Sequence, residues 1–237
     1  MRAPASARAR LAWHLGFGAL LMLTAAWLFG AIAEDVVNAE RLTVIDVQVA
    51  QWLHRHATTR MTELMLAITQ LHSTVAVSIY TGAAALFLLW QRHWRRLTAL
   101  LVCVAGGLAL NVLMKLAFHR ARPVFDDPLL TLSSYSFPSG HVAGSTVLYG
   151  LLVVWVFDRT RRPLPRVLML VGAVVVIGLV ALSRMYLGVH YLSDVAAAFA
   201  EGVAWLALCL TALATFWREA AHDPAVAGIA AQADDAR

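Results

Sequence analysis

The chain has 237 residues, of which 60% are hydrophobic and only 14% are charged. Soluble domains carry about 45–50% apolar and about 25% charged residues, so this composition excludes both a soluble globule and an intrinsically disordered chain. The net charge of +5 comes from 18 arginines and one lysine against 14 acids. A membrane protein is the class that remains.

Six apolar segments are long enough to cross a bilayer, which takes about 20 residues of helix. They lie at 11–33, 71–90, 97–118, 141–157, 166–183 and 190–217. Six crossings place both termini on one side. The sequence therefore predicts an all-α polytopic bundle of six transmembrane helices, forming one domain over 1–217, with a disordered cytoplasmic tail at 218–237.

Three arginine clusters indicate the orientation of the bundle. They are Arg2, Arg8 and Arg10; Arg92, Arg95 and Arg96; and Arg159, Arg161, Arg162 and Arg166. An excess of arginine marks the cytoplasmic face. We therefore expect a multi-pass protein of the inner, or plasma, membrane with cytoplasmic termini, and with segments 34–70, 119–140 and 184–190 facing outward, toward the periplasm.

The first span has a second interpretation. An arginine-rich start, an apolar run and Ala31-Ile32-Ala33 resemble a cleavable signal peptide. The apolar region of a signal peptide has about 7–15 residues, whereas the run at 11–33 is longer, so a retained span is favoured. Cleavage would leave the remaining topology unchanged.

Residues 45–56 follow the first span and have helical periodicity. The larger, mostly apolar side chains at this spacing are Ile45, Val49, Trp52, Leu53 and His56, while Asp46, Gln48 and Gln51 lie elsewhere on the wheel. This pattern predicts an amphipathic helix on the outer membrane surface.

Polar residues cluster at the outward ends of the last four spans. The clusters are Lys115 with Arg122-Pro123, then Pro138-Ser139-Gly140-His141, and then Ser183-Arg184 with His190 and Asp194. Ionisable groups in a membrane must find partners. Three cations, two histidines and one carboxylate at one face predict an anion-binding site.

The start of the fourth span has the features of a phosphate site. Proline suits the first turn of a helix, and Ser139 and Gly140 then leave backbone N–H groups at its positive end. Gly140 permits close approach, and the Ser139 hydroxyl is a further donor. Arg122 and Arg184 can each bind two phosphate oxygens, and Lys115 adds a point charge. These cations could neutralise phosphate as magnesium does elsewhere, so we expect no metal and no other cofactor.

The histidines supply the reactive groups. His190 and Asp194 are four residues apart and would share one face of a helix, so the carboxylate could fix the tautomer and free the other ring nitrogen to attack phosphorus. His141, at the start of a different helix, is placed to protonate the departing alkoxide. Water would then resolve the phosphohistidine.

Three blocks of sequence resemble the signature motifs of the type-2 phosphatidic acid phosphatase and haloperoxidase superfamily. They are Lys115-x6-Arg122-Pro123, Pro138-Ser139-Gly140-His141 and Ser183-Arg184-x5-His190-x3-Asp194, in family order over residues 111–195. The resemblance implies a metal-independent phosphatase of six transmembrane helices. It assigns His190 as nucleophile, His141 as acid and then base, and Asp194 as the group that orients His190. The phosphate ligands it implies are Lys115, Arg122, Ser139, Gly140 and Arg184.

The leading prediction is a membrane lipid phosphate phosphatase, because a pocket at the headgroup boundary meets lipid phosphates by lateral diffusion. Its substrate would be a phosphatidic acid-like or a polyprenyl (undecaprenyl) diphosphate lipid. A vanadate-dependent haloperoxidase would keep the fold, although that branch is mainly soluble, and a non-catalytic lipid-phosphate binder would need only the cations. The expected partners are the lipid substrate and the bilayer, with no nucleic acid, and the oligomeric state stays open.

Four more polar residues lie near the motifs. Glu201 follows Asp194 by seven residues on the same helical face, and Asn111 precedes Lys115 by four. This spacing fits two alternatives. Glu201 and Asn111 could form an inner polar layer that supports the site, or they could have a purely structural role. His119 and Arg120 occupy variable positions of the first motif, where they would touch the leaving group or face water.

Overall fold

A computed structural model describes the backbone of residues 7–222 and the side chains of residues 15–217. Over the described backbone the chain forms eight α-helices and no strand, which confirms the predicted all-α class. The helices are α1 (Ala7–Val37), α2 (Arg41–Arg55), α3 (Thr59–Leu71), α4 (Thr74–Trp90), α5 (Trp94–Phe118), α6 (Gly140–Arg159), α7 (Pro163–Tyr186) and α8 (Leu192–His222).

Five helices are long and apolar enough to cross a membrane, namely α1, α5, α6, α7 and α8. A sixth crossing requires α3 and α4 together, which meet at an angle of 41°. The predicted second span at 71–90 coincides with α4, apart from its first three residues. Helix α4 has 17 residues and becomes a candidate span together with α3, over Thr59–Trp90.

The bend between α3 and α4 is held by polar contacts. The Ser73 hydroxyl accepts a 3.2 Å hydrogen bond from the Ala76 N–H, which caps the start of α4. The His72 ring lies 2.9 Å from the Ile68 carbonyl through Nδ1 and 2.9 Å from the Tyr149 hydroxyl through Nε2. These contacts satisfy groups that a break in a transmembrane helix would otherwise leave unpaired.

The later spans agree with the predicted segments except at their ends. Helix α8 starts at Leu192, two residues after the predicted start at 190, and this leaves His190 in a loop. The arginine side chains before the first span and the tail beyond His222 lie outside the described residues.

Small residues allow α5, α6 and α8 to pack closely at the centre of the bundle. A Cβ at Gly202 of α8 would lie 2.8 Å from the Thr146 side chain and 3.2 Å from the Ala143 carbonyl. A Cβ at Gly106 of α5 would lie 2.4 Å from the Trp205 ring, whose Nε1 donates a 2.9 Å hydrogen bond to the Cys103 carbonyl. Close backbone approach of this kind is typical of packing between membrane helices.

Helix α1 packs along α8 and supports the segment that leads into α6. Phe29 of α1 and Phe118 at the end of α5 both contact Phe137, with ring centroids 5.7 Å and 4.9 Å away. Phe137 is fully buried. This aromatic cluster fixes the chain immediately before Ser139.

Helix α2 is the predicted amphipathic helix, but it begins at Arg41 and packs into the bundle rather than only on a membrane surface. Its buried residues are Asp46, Ala50 and Leu53, whereas Ile45 and Trp52 are largely exposed. The expected position of Asp46 on the solvent side is therefore wrong. Asp46 is fully buried because it hydrogen-bonds to residues of α8 and of the loop after α5.

Candidate active site

The site lies at one end of the bundle, where the C-terminal ends of α5 and α7 meet the N-terminal ends of α6 and α8. Two loops, 119–139 and 187–191, connect these helices at the same end of the bundle. The eight residues predicted for the site all come to this end of the bundle: Lys115, Arg122, Ser139, Gly140, His141, Arg184, His190 and Asp194.

His190 stands in the short loop between α7 and α8 and is buried. Its Nδ1 lies 3.3 Å from Asp194 Oδ2, and its Nε2 lies 3.2 Å from Arg122 Nη1. A carboxylate can only accept and a guanidinium can only donate, so these contacts define one neutral tautomer. Nδ1 carries the proton, and Nε2 presents its lone pair toward Arg122.

The pairing of His190 with Asp194 was predicted for two residues on one helix, and that reason is wrong. Helix α8 begins only at Leu192, so His190 precedes the helix. The turn of the loop places its ring next to Asp194 in the first turn of α8. Gly188, with φ +69°, takes the left-handed conformation that this turn requires.

Asp194 is fully buried and accepts hydrogen bonds on both oxygens. Oδ2 receives the Tyr191 N–H at 2.9 Å in addition to His190, and Oδ1 receives Arg120 Nη1 at 2.6 Å. The contact with Tyr191 is one half of a capping box, in which an acid in the first turn accepts from the N–H that precedes the helix. Asp194 therefore completes the start of α8 while it orients His190.

Burial dominates the electrostatics of His190. It lowers the pKa of the imidazole from its ordinary value to about 3, against the opposing effect of Asp194, and the charges of Arg184 and Arg122 lower the pKa further. The His190 ring is therefore neutral at physiological pH. This is the state that a nucleophile needs.

Ser139 is the N-cap of α6, and its backbone N–H donates a 3.1 Å hydrogen bond to the Asp194 carbonyl. That N–H is therefore not available to a ligand, contrary to expectation, and the free donors of the first turn begin at Gly140. The Ser139 hydroxyl is buried and has no partner among the described residues.

Gly140 lies against the end of α5. A Cβ at this position would lie 3.0 Å from Asn111 Oδ1 and 3.9 Å from Lys115 Cε. A side chain would therefore crowd the space between the start of α6 and the lysine. Glycine keeps that space open.

Lys115 and Arg122 are anchored to the loop after α5. Lys115 Nζ donates to the Tyr135 carbonyl at 2.8 Å, and Arg122 Nε donates to the Ser134 carbonyl at 2.7 Å. Arg122 Nη1 also donates to the Val189 carbonyl beside His190. Burial lowers the pKa of Arg122 from its ordinary value, and the charge of Asp194 opposes that shift.

Arg184 at the end of α7 is the most deeply buried cation of the site, with 2% of its surface exposed. Its Nη1 donates a 2.6 Å hydrogen bond to the Thr69 hydroxyl of α3. Its Nε and Nη2 have no partner among the described residues. A buried guanidinium with two unused donors is costly unless an anion binds to it.

His141, in the first turn of α6, makes no side-chain hydrogen bond within residues 15–217. It lies within electrostatic range of His190, Arg184, Arg122 and Lys115. Its ring therefore lies beside the same cations, with no hydrogen-bond partner among the described side chains.

Below the pocket, Asn111 Nδ2 donates a 2.9 Å hydrogen bond to Glu201 Oε2 in the middle of the bundle. Both residues are buried, and Asn111 also borders Gly140. This is the inner polar layer that the spacing allowed. Glu201 itself lines an apolar cavity of ≈ 300 Å³ between α1, α5 and α8.

Sequence reasoning missed Arg120, Asp46 and Ser193 as part of the site. Arg120 was expected to touch the leaving group or to face water, but it forms ion pairs with Asp194 and Asp46. One signal was available for Asp46. It lies four residues after Leu42 and three before Val49, so both of these neighbours one helical turn away are apolar, and an acid in such surroundings needs a buried partner.

Within the part of the chain that the structure describes, no group of three or more His, Cys, Asp or Glu side chains could hold a metal ion. The charged groups at the site are Lys115, Arg122 and Arg184, whose donors suit an anion, and the Asp194 carboxylate, which is already paired with His190 and Arg120. Metal independence stays a prediction.

Helices of spanning length around a buried histidine–carboxylate pair and a cluster of arginine and lysine side chains define a class of protein, the multi-pass membrane proteins with a cationic site at one end of the bundle. The family model described as the PAP2 superfamily matches residues 96–218. The chain belongs to this superfamily, which confirms the resemblance seen in its motifs.

Two curated relatives support the same conclusion. Phosphatidylglycerophosphatase B of Bacillus subtilis is 32% identical over 149 residues, which is 60% of this chain and 70% of the relative. Decaprenylphosphoryl-5-phosphoribose phosphatase of Mycobacterium tuberculosis is 41% identical over 120 residues, or 47% of this chain and 56% of the relative. The prediction that the protein belongs to a family of phosphatases is confirmed.

Two solved structures are similar to this one. The transmembrane PAP2 type phosphatidylglycerolphosphate phosphatase from Bacillus subtilis superimposes with a TM-score of 0.68 at 26% identity, covering 80% of this chain and 94% of that one. LpxE of Aquifex aeolicus gives a TM-score of 0.56 at 18% identity, over 70% of this chain and 94% of that one, and so shows the fold alone. The multi-pass membrane architecture is thereby established.

Proposed function

We propose that this protein is a metal-independent lipid phosphate phosphatase that works through a phosphohistidine at His190. Residues 1–217 would form the single phosphatase domain. The observation that carries the proposal is the defined tautomer of His190. Nδ1 is held by Asp194 and Nε2 points to a guanidinium that phosphate oxygens would also contact.

In the proposed ground state, the phosphate group binds between the first turn of α6 and the two arginines. The Nε and Nη2 donors of Arg184 and the Ser139 hydroxyl would bind its oxygens, since these atoms have no partner among the described residues. The Gly140 N–H, at the first position of α6, would add a backbone donor. Lys115 and Arg122 already reach the pocket and would add charge. Charge-assisted hydrogen bonds of this kind are about twice as strong as neutral ones.

In the first chemical step, His190 Nε2 would form a bond to phosphorus while the bond from phosphorus to the lipid oxygen breaks. The departing alkoxide would take a proton from His141. Asp194 would stabilise the positive charge on the phosphorylated ring of His190 through Nδ1–H. The dianionic phosphate would offset the surrounding cations and so favour the protonated form of His141 that this step requires.

In the second step, neutral His141 would accept a proton from water as the water oxygen attacks phosphorus. The bond between phosphorus and Nε2 would break, which returns the electron pair to His190 and releases inorganic phosphate. His141 is then protonated again and ready for the next lipid. Both steps use the residues already in place at the ends of α6 and α8.

The proposed substrate is a phosphate monoester on a glycerophospholipid, and a polyprenyl-linked phosphate or diphosphate is the alternative. The relative matched over 70% of its length is named for phosphatidylglycerophosphate, and the mycobacterial one for a decaprenyl-linked phosphoribose. A site at the end of a membrane bundle also meets lipid headgroups by lateral diffusion.

We propose that this end of the bundle faces outward. The loops at 91–93 and 160–162 lie at the end opposite the site, and they carry or adjoin Arg92, Arg95, Arg161 and Arg162. Arginine-rich short loops favour the cytoplasmic side. The site would then open to the periplasm.

The test is phosphate release in detergent micelles, with EDTA present, from phosphatidylglycerol phosphate, phosphatidic acid, undecaprenyl diphosphate and a lipid A phosphate. We expect turnover of at least the first lipid, loss of turnover in His190→Ala, and full activity in His56→Ala, which removes an exposed histidine of the same face. No release from any lipid, or activity abolished by EDTA, would contradict the proposal. Peroxide-dependent halide oxidation with vanadate would point to a haloperoxidase instead.

A further inference from the structure

Behind Asp194, the guanidinium of Arg120 lies between two buried carboxylates. Its Nη1 donates to Asp194 Oδ1 at 2.6 Å, and its Nη2 donates to Asp46 Oδ2 at 2.7 Å. Both carboxylates have no exposed surface, and the arginine side chain is 13% exposed. A single side chain therefore connects α2 to the acid that holds His190.

Asp46 reaches the start of α8 from a different helix. Its Oδ1 accepts the Ser193 N–H at 2.8 Å, and its Oδ2 accepts the Ser193 hydroxyl. Ser193 Oγ lies 2.6 Å from Arg120 Nη1 as well. Asp46 and Asp194 thus both satisfy N–H groups at the positive end of α8, where negative charge is stabilised.

Arg120 is itself fixed in place. Its backbone carbonyl accepts a 2.9 Å hydrogen bond from the Ser136 N–H, and its guanidinium carbon lies 4.4 Å from the centre of the Tyr191 ring. The contact with Tyr191 and the ion pair with Asp46 hold the guanidinium where it meets Asp194 Oδ1, while Asp194 Oδ2 faces His190.

From these contacts we infer that Arg120 and Asp46 are positioning residues for phosphoryl transfer, acting through Asp194 on the orientation and tautomer of His190. This inference rests on the proposed function. Neither residue touches the phosphate pocket. Arg120 holds the outer oxygen of Asp194, and Asp46 holds Arg120, so loss of either frees Asp194 to turn away from His190 Nδ1.

The competing explanation is structural. Asp46 and Arg120 would then serve only to fasten α2 to the bundle, and their removal would lower stability without a specific effect on turnover. The two explanations differ in what they predict once Asp194 no longer accepts from His190. In that background, the loss of a positioning residue should cause no further loss of turnover.

The first experiment compares Arg120→Gln and Asp46→Asn with wild type on the best lipid substrate. We expect kcat to fall about 100-fold, because a small misplacement of a reacting group has an effect of that size, while KM changes by less than about threefold. Arg122→Gln should instead raise KM. The matched controls are Arg55→Gln and Glu63→Gln, an exposed arginine of α2 and an exposed acid of α3, which should keep wild-type kinetics.

The second experiment places Arg120→Gln in an Asp194→Asn background. If Arg120 acts through Asp194, the double variant should be no slower than Asp194→Asn alone, since residues that work as a unit are not additive. Multiplied losses in the double variant would overturn the inference. So would a wild-type kcat in Arg120→Gln, or a change in KM alone.

Arg120→Lys covers the case in which Arg120→Gln fails to fold. A lysine can pair with one carboxylate but not bridge both, so we expect an intermediate loss of kcat. If none of the three single variants yields folded protein, the network belongs to folding and the inference fails. Wild-type protein without lipid turnover would refute the proposed function instead, so the two failures are distinguishable.

Discussion

The backbone N–H of Ser139 donates a 3.1 Å hydrogen bond to the backbone carbonyl of Asp194. This bond ties the first turn of α6 to the first turn of α8, and both turns carry residues of the site. The helix that presents His141 is therefore held directly against the helix whose acid orients His190. The hydrogen bond to Asp194 uses the backbone N–H of Ser139. The Ser139 hydroxyl has no partner among the described residues.

The Ser139 hydroxyl provides a test that separates binding from stability. It is buried without a partner among the described residues, so Ser139→Ala should not lower the melting temperature. If the hydroxyl donates to phosphate, its loss should cost about 1.5–3 kcal/mol of binding, or roughly 10- to 100-fold in KM. Steady-state kinetics and thermal unfolding of the same detergent preparation measure both. An unchanged KM would remove Ser139 from the phosphate site.

Arg184 should tolerate no conservative replacement. Its Nη1 is occupied by Thr69, and its Nε and Nη2 have no partner among the described residues, so we expect them to bind two phosphate oxygens. Arg184→Lys keeps the charge but loses the planar pair of donors, and kcat/KM should fall about 100-fold. Thr69→Val, which removes only the anchor, should have a smaller effect. The reverse ranking would show that Arg184 acts mainly as a structural group.

Glu201 is expected to support the site without reacting. Its Oε2 accepts from Asn111, and Asn111 borders Gly140. Glu201→Gln keeps an acceptor and should retain activity and stability. Glu201→Ala leaves the Asn111 amide buried and unpaired, which should cost about 1–3 kcal/mol of stability. Thermal unfolding and phosphate release compare the two, and strong loss of turnover in a stable Glu201→Gln would indicate a proton-transfer role.

The pH dependence of His190 follows from its burial. Its pKa of about 3 lies below the ordinary value near 6.5, so the folded ring binds its proton only in strong acid, whereas the unfolded ring binds it below about pH 6.5. The unfolded state then binds more protons between these limits. The His190 contribution to stability is therefore complete above about pH 6.5 and falls as pH drops toward 3.

Nuclear magnetic resonance of histidine-labelled protein can follow this ring, with His190→Gln to assign its signal. We expect a neutral His190 imidazole, protonated at Nδ1, from pH 8 down to at least about pH 5. A titration midpoint near 6.5 would contradict the burial seen in the structure.

Much of the site could be predicted from sequence because its features are local. A proline followed by serine and glycine marks a helix start, and Lys115 and Arg122 come from one continuous segment. The spans, too, are visible as apolar runs. These predictions need only residues close together in the chain.

The features that sequence reasoning missed are long-range. Asp46 and Arg120 are 74 residues apart, and Asp46 and Ser193 are 147 apart, so no local pattern pairs them. The bend near His72 likewise depends on Tyr149 of a different helix. His190 was placed on a helix because the spacing to Asp194 fits one, whereas a loop turn achieves the same contact.

The proposed reaction requires that the phosphoryl group is transferred from the lipid to His190 Nε2 before it reaches water. The most direct measurement is a rapid quench with a substrate whose phosphate carries ³²P, followed by recovery of the protein under alkaline conditions. We expect ³²P on the wild-type protein that is lost in acid and decreases as turnover proceeds, and no label on His190→Gln. Phosphate released by wild-type enzyme without any labelled protein, or a label that persists in His190→Gln, would contradict it.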